Sequence, residues 1–410
     1  MKTFLRSLGK RMNERGKQKG NGEPLAVARA LRDRPGLAYL DSSLAGKGSL
    51  SLVAAEPDLV LSGRDWNLLE AELVRRSRPE SGTGYPDGAA IGWVSFDGAF
   101  HFAFHDRVAV FLHDEGRWLE RNDLPDLPEP RPPLPCPRIG FEPQISRRDF
   151  MGMVDRARGY IAAGDIYQVC LAHPFVARTD VAAWDFHEAL RGCSPAPHAA
   201  YLSGGPLQIA SASPECFLRL SGRRVVTRPI KGTRPRKSDA HGDRRSAADL
   251  ISSPKEIAEL VMITDLERND LGQVCEFGSV VVSGLLRLEA YEQVFHLVST
   301  VEGRLRPDVS HVQALRACFP GGSISGAPKK RALEIIRELE PFPRGIYTGA
   351  IGYFGFNGES QFSIAIRTAV FEAGRAHFHV GAGIVADSLP GQEWQETLDK
   401  ASGLLVAGGG

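Results

Sequence analysis

Four glutamates occur as two pairs with one spacing. Glu256 and Glu259 lie three residues apart, and Glu393 and Glu396 repeat the interval. On a helix that interval puts both carboxylates on one face. Mg2+ takes oxygen ligands, usually one or two protein carboxylates together with waters and a substrate anion. Two helices facing a cleft could each supply one direct ligand, while the other pair holds the metal's waters. The plainer reading is a solvated helix face. Ser253-Pro-Lys-Glu256 also reads as a capping box, in which Glu256 only closes a helix start at Pro254.

Two glycine-rich stretches resemble nucleotide sites and fail on spacing. Gly381-Ala-Gly383-Ile-Val-Ala386 continues as an apolar run, where a dinucleotide fingerprint would open a helix. Glycine on a strand that lets a ligand approach the backbone fits better. In Gly321-Gly-Ser-Ile-Ser-Gly326-Ala-Pro-Lys329, Ala327 stands where a phosphate loop needs lysine. A loop running into a helix at Pro328 could cradle a carboxylate with free amides, and a plain tight turn reads equally well.

These residues need elements to hold them. Ser146 with Asp149 starts a helix whose apolar face is Phe150, Val154, Ala157 and Ile161, and Gly164 closes it. Ile166 to Ala172 reads as a strand, with further strands near 207–220, 223–230, 347–356, 361–371 and 376–386. Helices are expected at about 254–264, 311–318, 328–339 and 392–406. This mixture without strict βαβ alternation implies an α+β fold with large antiparallel sheets. Ala90-Ile-Gly-Trp-Val-Ser-Phe-Asp-Gly98 echoes Ala350-Ile-Gly-Tyr-Phe-Gly-Phe-Asn-Gly358, as a pseudo-duplicated fold would. Glycine-aromatic strands ending in Asp-Gly or Asn-Gly turns are also common.

Seven prolines between Pro125 and Pro137 bar a helix or a central strand there. The reading is a basic tail over 1–22, an N-terminal region over 23–124, a linker over 125–138 and a larger region over 139–408. The tail lacks the apolar core of a secretory signal. The 410 residues carry a formal charge of +1 and 42% hydrophobic residues. Neither nucleic acid nor an anionic membrane is therefore an expected partner. Six scattered cysteines without a CxxC pair point to a reducing cytoplasm rather than to zinc or disulfides.

Ordered segments from about 140 to 407 carry a family resemblance. They are Gly164-Asp-Ile-Tyr-Gln168, Ser213-Pro-Glu215, Pro229-Ile-Lys-Gly-Thr-Arg234, Glu259 to Asp270, Val294-Phe-His296-Leu-Val-Ser299, and Ser323-Ile-Ser-Gly-Ala-Pro-Lys329. Tyr347-Thr-Gly-Ala-Ile-Gly-Tyr353, Ile366-Arg367, Gly381-Ala-Gly383 and Glu393-x-x-Glu396-x-x-x-Lys400 complete the set. Together they resemble the chorismate-utilising family, which includes anthranilate, aminodeoxychorismate, isochorismate and salicylate synthases. The resemblance implies two interleaved α/β halves with large antiparallel sheets, helices outside and an active-site cleft between sheet and helices.

It also implies roles. Glu259 and Glu396 would bind Mg2+ directly, with Glu256 and Glu393 organising its waters. The metal and Lys400 would hold the ring carboxylate of chorismate. Tyr347, Arg367 and the backbone of Gly381, Ala382 and Gly383 would hold the enolpyruvyl carboxylate, a task that suits a bidentate guanidinium. Ser323 and His296 would line the ring, with Thr233 among the substrate-binding positions. Read alone, His296 is a satisfied core histidine and Arg367 an ordinary strand charge.

Two positions separate members of the family. Water-adding relatives carry Lys where Gln168 stands, so Gln168 implies that an amine is added. Lys231 is similar to the nucleophilic lysine of aminodeoxychorismate synthases, where anthranilate synthases carry Ala. Such a lysine must be neutral, so its pKa should be lowered, and Arg228 and Arg234 could help. Glu215 would protonate the leaving hydroxyl, with a pKa raised by burial. Cys170 and His173-Pro174 depart from the commoner Asn and Gln-Arg, so the lining there is expected to differ. No Gly-x-Cys-x-Gly elbow occurs, which implies a separate glutamine amidotransferase and, downstream, a separate 4-aminodeoxychorismate lyase. Anthranilate synthesis and a non-catalytic chorismate-binding homologue are the alternatives, and isochorismate formation would follow if Gln168 misleads.

Overall fold

The computed structural model describes residues 23–44, 49–119, 138–291 and 294–410. The basic tail over 1–22 and linker residues 125–137 lie outside the described residues. The first stretch forms α1 (Pro24–Ala30), β1 (Ala38–Asp41), β2 (Leu50–Ala54), β3 (Leu59–Gly63) and α2 (Trp66–Arg75). A hairpin of β4 (Ala89–Val94) and β5 (Phe100–His105) follows, then β6 (Ala109–Leu112) and β7 (Arg117–Trp118).

Beyond residue 138 come β8 (Glu142–Pro143), α3 (Arg147–Ala162), β9 (Gln168–Arg178), α4 (Ala183–Cys193), β10 (His198–Gly204), β11 (Leu207–Ser213), β12 (Cys216–Ser221), β13 (Arg224–Arg228) and β14 (Ile230–Pro235). Next are α5 (Ala240–Ile251), α6 (Pro254–Gly272), β15 (Val281–Ala290), β16 (Val294–Arg304), α7 (His311–Cys318), α8 (Gly322–Ser325), β17 (Gly326–Ala327) and α9 (Lys329–Leu339). The chain finishes with β18 (Ala350–Gly355), β19 (Glu359–Ile364), β20 (Thr368–Glu372), β21 (Arg375–Ile384) and α10 (Pro390–Ala407).

Two antiparallel sheets result. One has 11 strands, ordered β17-β9-β21-β20-β11-β10-β1-β2-β6-β7 with β8 beside β9. The other has 10, ordered β14-β16-β13-β12-β19-β18-β4-β5-β3 with β15 beside β16. Strands from before residue 120 enter both sheets, so the two parts of the chain interleave. Local signals start the helices that matter. Ser146 Oγ accepts the Asp149 amide to cap α3, and Ser253 Oγ accepts the Glu256 amide to cap α6. Pro390 opens α10, where a missing N–H costs nothing.

The two echoed segments are neighbours. β4 pairs with β18 so that Gly92 faces Gly352. In each hairpin that glycine also faces a phenylalanine, Phe102 or Phe362. A Cβ at Gly92 would fall 1.8 Å from the His101 carbonyl oxygen, and one at Gly352 would fall 2.0 Å from that of Gln361. Only glycine fits either place.

Four expectations change. The strand expected near 207–220 is two strands in different sheets, β11 and β12, and the one expected over 361–371 is also two, β19 and β20, because the chain crosses between sheets at residues 214–215 and 365–367. The helix expected at 254–264 runs on to Gly272. Helix α9 begins at Lys329 with Pro328 as its N-cap, and the glycine-rich loop before it coils into the one-turn α8.

Candidate functional site

The cleft is built on β9 and β21, which pair so that Gly383 faces Cys170 and Gly381 faces Ala172. Side chains alternate across a strand. Val169, Leu171, Ala382 and Ile384 therefore turn into one apolar cluster with Phe150 and Ile335, while Gln168, Cys170, Gly381 and Gly383 turn the other way. Ala382 thus offers the site only its backbone. A Cβ at Gly383 would fall 2.5 Å from Gln168 Nε2 and 3.9 Å from Lys231 Nζ, and one at Gly381 would fall 3.0 Å from the Tyr347 hydroxyl. The glycines leave room where three candidate side chains, Gln168, Lys231 and Tyr347, meet. Gln168 is fully buried, and neither its Oε1 nor its Nε2 has a partner. Buried amide atoms are rarely left so.

Lys231, on β14, points into the cleft with Nζ 3.8 Å from Glu259 Oε2. Burial opposes its charge, but Cys170, Glu259, Glu215 and Glu396 together outweigh burial and raise its pKa. This corrects the expectation of a lowered value. Arg228 and Arg234 do not help to discharge it, because Arg228 pairs with Glu289 and Arg234 with Asp249 and Glu256. Glu215 sits where the chain leaves β11 for β12, its amide accepted by Ser213 Oγ at 3.3 Å. Burial raises the Glu215 pKa, as expected of an acid, against a hydrogen bond from Ser323 and the charge of Lys231.

His296, on β16, is buried. Burial and then the Arg367 charge push its pKa down to about 4, so the ring is neutral, with Nδ1 2.9 Å from Thr233 Oγ1. Tyr347 stacks on His379 at 5.5 Å. Arg367 occupies the crossing between sheets with φ +49°, a left-handed conformation unusual for arginine. Burial lowers its pKa, and no carboxylate among the described residues pairs with it. A half-buried guanidinium without a counter-ion is prepared for an anion.

The glutamate pairs come from α6 and α10. Lys255 stands between the helices, its Nζ 3.9 Å from Glu259 Oε1 and 4.0 Å from Glu393 Oε1. Lys400 Nζ bonds Glu396 at 2.7 Å and the Gly381 carbonyl at 2.9 Å. Burial raises Glu259 and Glu393. At Glu396 burial is outweighed by Lys400, Lys255 and Lys231, and the pKa falls. Glu256 does not return a bond in a capping box. Its carboxylate turns to Arg234 at 3.5 Å.

These oxygens suit a hard divalent cation. Glu393 Oε2 is buried without a partner, and the Lys255 ammonium already bridges the two helices as a cation would. Among the described residues no three acidic, imidazole or thiol groups close into a finished shell, so substrate oxygens and water would have to complete one.

The loop after α7 gives an amide to a carboxylate of the chain itself: the Gly322 amide donates to Glu267 at 3.1 Å, and Gly326 and Ala327 pair with β9. Glu267 is a site-wall residue that sequence reading missed. Burial and then Asp270 raise its pKa to about 8. Arg344 was also missed. Its guanidinium donates to the carbonyls of Ile324 and Cys170 and to Thr348 Oγ1, and it pairs with Glu340 behind Tyr347. The only signal was a charge in Pro-Phe-Pro-Arg344, just before the Tyr347 motif. Lys255 lies inside Ser-Pro-Lys-Glu256 and reads there as plain solvated helix. His173 turns away from the cleft, whereas Cys170 faces it.

A separate cavity lies between β1, β10 and β18–β19, lined by Asp41, Ser42, His198, Tyr353 and Gln361. Its acid is already taken, since Arg191 Nε bonds Asp41 at 2.8 Å. No helix among the described residues is long and apolar enough to cross a membrane.

The chain and its fold have relatives among known proteins. A family model described as chorismate binding enzyme matches residues 112–406. The chain is 46% identical over 294 residues to anthranilate synthase component 1 of Thermus thermophilus, covering 71% of this chain and 63% of that protein. It is 46% identical over 280 residues to aminodeoxychorismate synthase of Streptomyces griseus, covering 68% of this chain and 39% of that protein. It spans less than two thirds of either relative. The crystal structure of anthranilate synthase component I from Streptococcus pneumoniae superposes with a TM-score of 0.77 at 31% identity, covering 88% of this chain and 93% of that one. With most of its length matched by the model and its fold shared with such a synthase, the chain belongs to the chorismate-binding enzyme family.

Proposed function

We propose that the chain is an aminodeoxychorismate synthase component I, which replaces the C4 hydroxyl of chorismate with an amino group. The observation that carries this reading is Lys231, which lies inside the cleft beside Glu259 and Gly383 rather than on a surface loop. The Lys231 amine attacks ring C2, the double bond shifts, and the C4 hydroxyl leaves as water with a proton from Glu215. Ammonia then adds at C4, the double bond returns, and the lysine amine is expelled. Chorismate and ammonia thus give 4-amino-4-deoxychorismate and water. Lys231 must lose its proton before it attacks, since Cys170 and the surrounding carboxylates favour its charged form.

Arg367 and Tyr347 would receive the enolpyruvyl carboxylate and Lys400 the ring carboxylate, with Ser323 and His296 against the ring. Glu259 and Glu396 would hold Mg2+, with Glu256 and Glu393 on its waters. When bound, the cation would supply positive charge to the ring carboxylate. A glutamine amidotransferase would deliver the ammonia, and a lyase would take the product on to 4-aminobenzoate for folate.

Anthranilate synthesis is the second reading, favoured by the name of the Thermus thermophilus relative. The products decide between the two. Purified protein is incubated with chorismate, Mg2+ and ammonium at high pH, with and without the lyase, and analysed by mass spectrometry. Aminodeoxychorismate that becomes 4-aminobenzoate only with lyase is expected, and Lys231→Ala should abolish it. Fluorescent anthranilate with pyruvate would overturn the reading, and isochorismate would overturn the inference from Gln168.

A further inference from the structure

Helix α10 is anchored unevenly. Its C-terminal half buries Ala401, Leu404 and Ala407 in a large apolar cluster. Its N-terminal half carries Glu393 and Glu396 among polar residues, Gln392 and Gln395 included. That half reaches the sheet through Trp394 and Thr397, and both rest on one residue of β9. His173 is buried and stacks on the Trp394 indole, with centroids 5.0 Å apart and planes 15° apart. Its Nε2 lies 3.0 Å from Thr397 Oγ1. Thr397 is itself fully buried and donates its hydroxyl proton to the Trp394 carbonyl at 2.7 Å. The hydroxyl therefore accepts from His173 Nε2–H, which defines the tautomer. Phe150 of α3 closes the other side, 5.2 Å from the imidazole.

We propose that His173 is the positioning residue for the carboxylates of α10, fixing the rotation of the helix so that Glu393 and Glu396 face the pair on α6. The inference rests on the reading of those carboxylates as a divalent-cation site. Trp394 follows Glu393 directly and Thr397 follows Glu396, so a stack and a hydrogen bond to His173 at those two residues, one turn apart on the same face, fix the helix rotation. A rotation of one residue on a helix is about 100°, enough to turn either carboxylate out of the cleft. Phenylalanine at 173 would keep the stack and lose the hydrogen bond. Glutamine would keep a donor.

The test uses the whole chain with Mn2+ as probe, its binding followed by electron paramagnetic resonance, together with steady-state kinetics in Mg2+. Orienting groups behind metal ligands typically change affinity by about tenfold or more. His173→Phe and Thr397→Val should each weaken Mn2+ binding by about that factor. The double variant should be no weaker than either single one, and His173→Gln should recover most of the loss. The apparent KM for Mg2+ should rise in step while kcat at saturating cation holds. Thr397→Val removes only a hydroxyl, so it serves if His173→Phe folds poorly. Wild-type binding with unaltered affinity in both variants would overturn the role of His173 and leave the cation site standing. Wild-type protein that takes up no Mn2+ would overturn the cation site and this inference with it.

Discussion

Residues 89–112 and 350–372 run the same course. Each begins with a hairpin in the ten-stranded sheet, β4–β5 or β18–β19, with glycine facing phenylalanine across the pair. Each turns on a glycine with positive φ, Gly98 at +85° and Gly358 at +76°. Each then crosses to the eleven-stranded sheet, entering β6 or β20. The crossings even carry the same residue, since Arg107 and Arg367 both stand five positions beyond the facing phenylalanine. They differ in what surrounds it. Arg107 is exposed, while Arg367 is half-buried with a left-handed backbone and has the cleft in front of it. Two copies of one framework therefore serve differently. The first leaves its arginine in solvent, and the second holds its arginine half-buried, where the proposed function places an anion. Burial and backbone, rather than residue type, separate them.

The sharpest break in this comparison is at the arginines. Arg367→Ala should lower kcat/KM for chorismate by about a thousandfold, since two charge-assisted hydrogen bonds are worth about 2 kcal/mol each. Arg107→Ala should change it less than about twofold. Equal losses would mean that Arg367 acts through folding alone. The next effect should be shared. Gly92→Ala and Gly352→Ala each force a methyl into a facing carbonyl, so both should lose about 3 kcal/mol or more in urea unfolding. A tolerant Gly92 would break the structural equivalence.

A third test concerns a buried acid on α6, outside both copies. Glu267 titrates at about 8 in the fold, against an ordinary 4.5. Below pH 4.5 it is protonated in both states. As pH rises toward 8 only the unfolded chain releases the proton, so this group lowers stability by about 1.4 kcal/mol per pH unit. Glu267→Gln is always neutral, so its stability relative to the parent should rise between pH 5 and pH 8. A difference that is flat with pH in urea unfolding would mean that Glu267 is ionised in the fold. The smallest effect belongs to the turns. Gly98→Ala meets open space and should cost about 1 kcal/mol through its positive φ alone. Gly358→Ala should cost slightly more, because a Cβ there meets Glu80 at 3.0 Å.

Local chemistry determined much of this protein by itself. Ser146, Ser253 and Pro390 set helix starts within a residue or two, because capping acts over one turn. The shared Ala-Ile-Gly-aromatic starts and Asp-Gly or Asn-Gly ends of 90–98 and 350–358 exposed the internal echo. The Glu-x-x-Glu spacing placed each pair on one helix face. Tertiary structure alone decided the rest. An apolar run over 361–371 does not reveal that it changes sheets at Arg367, since both sheets want the same pattern. Whether Lys231 is charged depends on groups from distant segments, Cys170, Glu259, Glu215 and Glu396, which sum through space and outweigh burial. The roles of Arg344, Glu267 and His173 were not legible in their neighbourhoods, because what each holds lies on another element, and such pairings exist only once the sheets have closed.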